Sequence, residues 1–382
     1  MASAPTAPAA LAEELARTPV GRAGGRPAES SDRSDHAPRL PSITGLRFVG
    51  AFGVFAYHVL GMLPNYHLTR PVLMAGQAGV SFFFILSGFV LTWSDRPGDQ
   101  PRKFWQRRVA RIVPTYLVTW AIGIPMAMLR FGSWPGFWPL LCGFTFTQAW
   151  IPNQSVFFGV NGVAWSLSVE ALFYAVFPAI VLLVRRASQR ARLVGMALCV
   201  AVLAALQLGL LAGVGGVVAD SSRPAFWLVS VLPLSRLPEF VFGMLAAGYL
   251  KSASGWRIGV APAAALAFVA AYVAGCFPVA VIAGWITVVP FALLICSAAN
   301  ADTTGKSSVF ARTWAVRLGE WSFAFYMSHQ LVLRLMAWLW PANRLALLEI
   351  AVDLILAVLA SALLYHYVEV PAERRLRPTR RA

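Results

Sequence analysis

The chain has 382 residues, 58% of them hydrophobic and only 13% charged, with a net charge of +16. A soluble domain carries about twice that share of charged residues. A water-soluble enzyme is therefore excluded, and the recurring apolar runs of about 18 or more residues point to a polytopic all-α membrane bundle. The four cysteines (Cys142, Cys199, Cys276 and Cys296) are scattered through apolar runs. They show neither metal-ligand spacing nor a disulfide framework, so no metal site is expected.

Residues 1–41 are rich in Ala, Pro, Ser, Gly and Arg and read as a disordered tail. No apolar signal-peptide core precedes residue 46, so no secretory cleavage is expected. Residues 42–378 form one membrane-embedded domain, closed by a basic end at 379–382, with no internal repeat. About ten spans are expected, at 44–63, 77–94, 113–131, 164–184, 193–213, 226–250, 258–275, 278–298, 321–340 and 345–368. The sixth is interrupted by Pro233, Arg236 and Pro238, and the apolar stretch at 137–151 is too short to span.

Loop charge orients the bundle. Alternate connecting segments hold 26 of the 32 basic residues, so both termini are expected in the cytoplasm. In a soluble protein this much positive charge would suggest nucleic acid. Here it is an orientation signal, with anionic lipid headgroups as added partners.

Titratable residues inside the spans carry the functional reading. The first span, ITGLRFVGAFGVFAYHVLGML, holds Arg47 near its start and His58 eleven positions later. That separation is roughly 16 Å along a helix, which puts His58 near the midplane if Arg47 lies at a surface. An imidazole at that depth either hydrogen-bonds a neighbouring helix or performs chemistry. After the second span, RKFWQRRVARIVPTY sets Arg107, Arg108 and Arg111 on one helix face, with Pro114 expected to open the third span. These arginines read either as a lipid anchor or as an anion site with guanidinium forks on phosphate.

Glu170 lies about six residues inside the fourth span, after Trp165, Ser166 and Ser168. A carboxylate there needs a partner or a water-filled cavity. It is expected either to orient His58 or to hold acceptor hydroxyls. In RLPEFVFG, Arg236 and Glu239 are three apart and able to pair. The ninth span carries His329 at a depth similar to that of His58, with Tyr326 and Ser322 on its face. Of the other histidines, His67 and His366 read as interfacial. Glu349 and Asp353 in the tenth span read as partners of Arg334 or Arg344, and Glu369 is expected against the basic face.

In this order and spacing the motifs resemble the acyltransferase-3 family of integral-membrane O-acyltransferases. The stretches that carry the resemblance are Arg47 and His58 with ten residues between, Ser87-Gly88-Phe89 in FFFILSGFVL, RRVARIVPTY, WSLSVEALFY, RLPEFVFG, SFAFYMSH and VEVPAERRLRP. The resemblance implies transfer of an acyl group, most often acetyl, from cytosolic acyl-CoA as co-substrate to a hydroxyl. The acceptor would be a cell-surface glycan or a glycosylated metabolite such as a macrolide, at a bacterial cytoplasmic membrane. It also implies that His58 is the essential histidine with Arg47 its partner, and that Arg108 and Arg111 belong to the donor site. Tyr116 falls in the same basic stretch. Some family members add an SGNH hydrolase-like domain, which residues 1–382 do not contain.

Acyl transfer from a thioester needs a base for the hydroxyl proton, a donor toward the oxyanion and exclusion of water. A G-x-S-x-G elbow is absent, so direct transfer is expected rather than an acyl-enzyme. A secondary transporter for a small polar or anionic solute is the competing class, since transporters also carry intramembrane charge and broken helices.

Overall fold

The computed structural model describes residues 39–59, 70–214, 224–253, 255–276, 284–340 and 346–376. The tail, His67, Arg344 and the basic C-terminal end lie outside the described residues. All the regular structure among those described is helical. Its main elements are α1 (Pro41–His58), α2 (Arg70–Ala75), α3 (Ala78–Ser94), α4 (Pro101–Phe131), α5 (Phe137–Phe144), α6 (Trp165–Arg186) and α7 (Gln189–Val214). They continue as α8 (Pro233–Ser252), α9 (Val260–Gly275), α10 (Val288–Thr303), α11 (Thr313–Leu339), α12 (Ala346–Leu364) and α13 (Val370–Leu376).

Among the described residues, six stretches are long and apolar enough to cross a membrane, at 70–94, 101–129, 165–186, 189–209, 224–252 and 347–376. Helices α9 and α10 are apolar but shorter. Helices α1 and α11 also stand where spans were expected, and they carry His58 and His329. Phe268, Leu347, Leu359 and Leu363 are exposed, as side chains facing lipid would be.

Two expectations change in detail. The third span does not open at Pro114. Its helix begins at Pro101, which takes the first-turn position, and runs 31 residues through Pro114 and Pro125. Interior prolines survive in membrane helices when neighbouring groups satisfy the freed carbonyls. The basic stretch is therefore the first third of α4 rather than a loop before it. The sixth span is broken one residue ahead of Pro233. A π-helical stretch at Trp227–Val231 ends at Leu232, whose ψ of 126° is non-helical, and α8 starts afresh.

Close backbone approach sets the positions that matter below. With lipid in place of water, helices gain little from burying apolar area, so small residues at crossings dominate the packing. A Cβ on Gly319 of α11 would sit 1.8 Å from Thr44 O of α1, and one on Gly88 of α3 would sit 2.0 Å from Phe240 O of α8. Any side chain at these two positions would drive the helices apart. The start of α1 is capped from a distance: Asp302 of α10 accepts from Ser42 N at 2.9 Å and from Ser42 Oγ at 2.6 Å. That carboxylate satisfies a first-turn N–H that lacks an intrahelical partner.

Candidate functional site

Two cavities lie along α1. The larger, about 690 Å³, is lined by Val54, Tyr57 and His58 of α1, with Ser81, Trp165, Arg236, Tyr326 and Gln330 around it. The smaller, about 160 Å³, is lined by Arg47 of α1 with Ser87, Arg108, Arg111, Ser166, Glu170 and Tyr174. Val80 and Tyr326 line both and form the wall between them.

Beside the larger cavity, which His58 lines, the structure joins two histidines that the sequence left apart. His58 Nδ1 lies 3.0 Å from His329 Nε2, and His329 Nδ1 lies 3.1 Å from Phe325 O. A carbonyl oxygen only accepts, so His329 carries its proton on Nδ1. With both rings neutral, His329 Nε2 is then an acceptor and His58 Nδ1–H donates to it. His58 consequently holds its lone pair on Nε2, in the ring that lines the larger cavity. His329 is fully buried and packs against Phe325, with ring centroids 5.7 Å apart. Both of its ring nitrogens are engaged, whereas the His58 ring borders the cavity.

Tyr326, one helical turn before His329, bonds Ser166 Oγ at 2.9 Å and Val163 O at 3.1 Å. Asn161 donates to Met327 O at 2.9 Å, and Arg334 donates to Val160 O at 2.8 Å. These bonds tie α11 to the segment that leads into α6, so the histidine pair rests on rigid elements. Trp165 meets Phe84 edge to face, with centroids 6.2 Å apart.

The smaller cavity gathers the arginines. Arg47 from α1 and Arg108 and Arg111 from α4 line one space with Glu170, and all three lie close enough to act on its charge. Glu369, buried in the π-helical stretch Tyr365–Glu369, lies within electrostatic reach of Arg111 and Arg47. Arg107 leaves the group: it pairs with Asp99 in the connecting loop. Its neighbour Arg108 lies over the Phe104 ring at 5.8 Å.

The structure gives three of the expected site residues a definite place. Glu170 does not orient His58. It lines the arginine cavity and accepts from Tyr174 at 2.9 Å. Tyr116 lines neither described cavity. It is buried, donates to Gly143 O at 2.5 Å and lies 4.3 Å from the Phe146 ring, so it pins α5 to α4. His329 lines neither described cavity and pairs with His58. The expected Arg236–Glu239 pair is present, at 3.5 Å, with both side chains buried. Sequence reasoning missed Tyr174 and Ser81. The i, i+4 spacing of Glu170 and Tyr174 was a usable signal, whereas Ser81 offered none.

The family described as Acyltransferase domain matches residues 40–366. The chain is 35% identical to acyltransferase MdmB of Streptomyces mycarofaciens over 366 residues, which cover 88% of this chain and 92% of that protein. It is 22% identical to O-acetyltransferase OatA of Staphylococcus aureus over 376 residues, 89% of this chain and 58% of the relative. It is 37% identical to exopolysaccharide production protein ExoZ of Rhizobium meliloti over 112 residues, 27% of this chain and 33% of that one. No solved structure matches.

Proposed function

The chain belongs to the acyltransferase-3 family, and on that premise we propose that it moves an acetyl group from acyl-CoA to a hydroxyl of a sugar-containing acceptor at the bacterial cytoplasmic membrane. The observation that carries this reading is the His58–His329 pair, with His58 lining a large cavity that shares Val80 and Tyr326 with an arginine-lined one. The arginines suit the phosphates of CoA, as charge-assisted forks. The pantetheine arm is slender enough to follow the narrow cavity toward Tyr326 and deliver the thioester to His58. Glu170 and Glu369 hold the guanidinium groups apart and oriented while the phosphates are absent.

The larger cavity suits the acceptor. Trp134 and Trp165 offer aromatic faces, and Gln77, Ser133, Gln154 and Gln330 offer hydrogen bonds, a mixture matched to a sugar's apolar face and hydroxyls. An exopolysaccharide production protein and a peptidoglycan O-acetyltransferase among the relatives support the same acceptor class. In the reaction, His58 Nε2 takes the acceptor's hydroxyl proton while the alkoxide attacks the thioester carbonyl, and His329 stabilises the imidazolium through His58 Nδ1–H.

The purified full-length protein, given labelled acetyl-CoA and a panel of glycans and glycosylated metabolites, should transfer label to one class of acceptor and release free CoA. Solute uptake into vesicles with no thioester turnover would move the protein to the transporter class.

The ten-span arrangement with both termini cytoplasmic belongs to the same proposal, supported by the 26 basic residues on alternate segments. It sets the arginine cavity on the cytosolic side and the larger cavity on the other. Reporter fusions at Gln154 and Ser188 should then report opposite sides; the same side for both would reverse the assignment of donor and acceptor cavities.

A further inference from the structure

Arg236 has a chemistry that neither the base nor the phosphate site uses. It stands in the first turn of α8, directly after the break at Leu232, where the helix end is already positive and a cation is disfavoured. Its side chain is 3% exposed. One nitrogen, Nη2, donates to Ser81 Oγ at 3.1 Å and lies 3.5 Å from Glu239 Oε2, while the guanidinium rests 5.3 Å from the Phe84 ring centroid. The remaining nitrogens, Nε and Nη1, are buried and have no hydrogen-bond partner among the described residues. Orphaned donors on a buried charge are rare and costly, and call for an explanation.

The explanation lies in what Arg236 lines. It borders the larger cavity together with His58, and Tyr326, which shares that cavity, is near enough to Arg236 to feel its charge. Tyr326 also packs beside His329, with ring centroids 6.0 Å apart. The helix end and the guanidinium thus direct positive charge toward the space in front of the proposed base. Ser81, Glu239 and Phe84 hold the group in place, so little reorganisation is needed when negative charge develops.

We propose that Arg236 is a catalytic residue that donates to the thioester carbonyl oxygen as it becomes an oxyanion; this rests on the acyl-transfer reading above. The acceptor hydroxyl gives its proton to His58 Nε2 and its oxygen bonds to the carbonyl carbon. The C=O π pair moves onto the oxygen, which Arg236 N–H groups receive. When that pair returns, the C–S bond breaks, and the departing thiolate takes the proton back from His58. A resting-state pairing with Glu239 through a single nitrogen leaves the other N–H groups without a partner among the described residues until the oxyanion forms.

The test uses the full-length enzyme with acetyl-CoA, measured with an acceptor and, separately, as slow hydrolysis with water alone. The paired variant Arg236→Gln/Glu239→Gln leaves no lone buried charge, and Arg236→Lys keeps the charge should the paired variant fail to fold. For the paired variant, kcat for transfer and for hydrolysis should both fall by roughly 10²–10³-fold, as for loss of an oxyanion donor, with the acetyl-CoA KM little changed. Arg236→Lys should lower both in step by a smaller factor. Lost transfer with intact hydrolysis, in either variant, would instead make Arg236 an acceptor-binding residue. Wild-type rates for both reactions would return it to a structural ion pair. Absence of thioester turnover in the wild-type protein itself would remove the acyl-transfer reading, and this proposal with it.

Discussion

Replacing His58 by alanine is expected to lower turnover by about 10²–10⁴-fold, the usual contribution of a general base, in a protein that still inserts and folds. The side chain borders a cavity, so truncation removes chemistry more than packing. The His329 variants distinguish the two rings. His329→Leu removes the acceptor for His58 Nδ1–H and should cost roughly 10–100-fold, from the ~1.5–3 kcal/mol of a hydrogen bond to a charged group. His329→Gln, whose side-chain oxygen can accept that bond, should recover part of the loss. Turnover is measured at saturating acetyl-CoA, with thermal unfolding in detergent as the folding control. A folded His58→Ala protein with near-normal kcat, beside an inactive His329→Leu, would transfer the base to α11.

Removal of the donor-site arginines should act on a different parameter. Arg108→Ala and Arg111→Ala are each expected to raise the apparent KM for acetyl-CoA by roughly 10–100-fold, on the same ~1.5–3 kcal/mol for a charge-assisted bond. Arg→Lys should rescue poorly, because a point charge does not reproduce the planar fork. The structure supplies a control that the sequence alone does not. Arg107 belongs to the same basic run yet pairs with Asp99 away from the cavity, so Arg107→Ala should leave donor kinetics close to wild type. If all three variants behave alike, whether all normal or all weakened, the run acts as a lipid anchor or a diffuse charge field rather than as a site.

Much of this was legible in the chain itself. Apolar runs of membrane length and sparse charge settle the helical membrane class, because no other backbone form with these sequences satisfies its polar groups in lipid. Arg47 and His58 lie on one helix, so their separation follows from the rise per residue, and they do border different cavities. The pairing of Arg236 with Glu239 was equally local, a matter of i, i+3 spacing.

The remainder depends on contacts between segments far apart in the chain, for which spacing carries no information. His58 and His329 are 271 positions apart, and they meet because α1 and α11 cross where Gly319 admits the backbone of Thr44. Glu170 was open to orienting His58 or holding hydroxyls, but it lines the cavity of Arg47, Arg108 and Arg111, which His58 does not border. Tyr116 shared a motif with Arg111 but turned from the cavity to hold α5. Arg107 and Arg108 are adjacent in sequence, and only the fold decides that one meets Asp99 and the other the cavity. Composition and periodicity determined which residues lie in the membrane and which can ionise there. Tertiary packing decided which of them face one another, because a helix presents each side chain in one direction and the neighbour it meets is set by where another helix crosses.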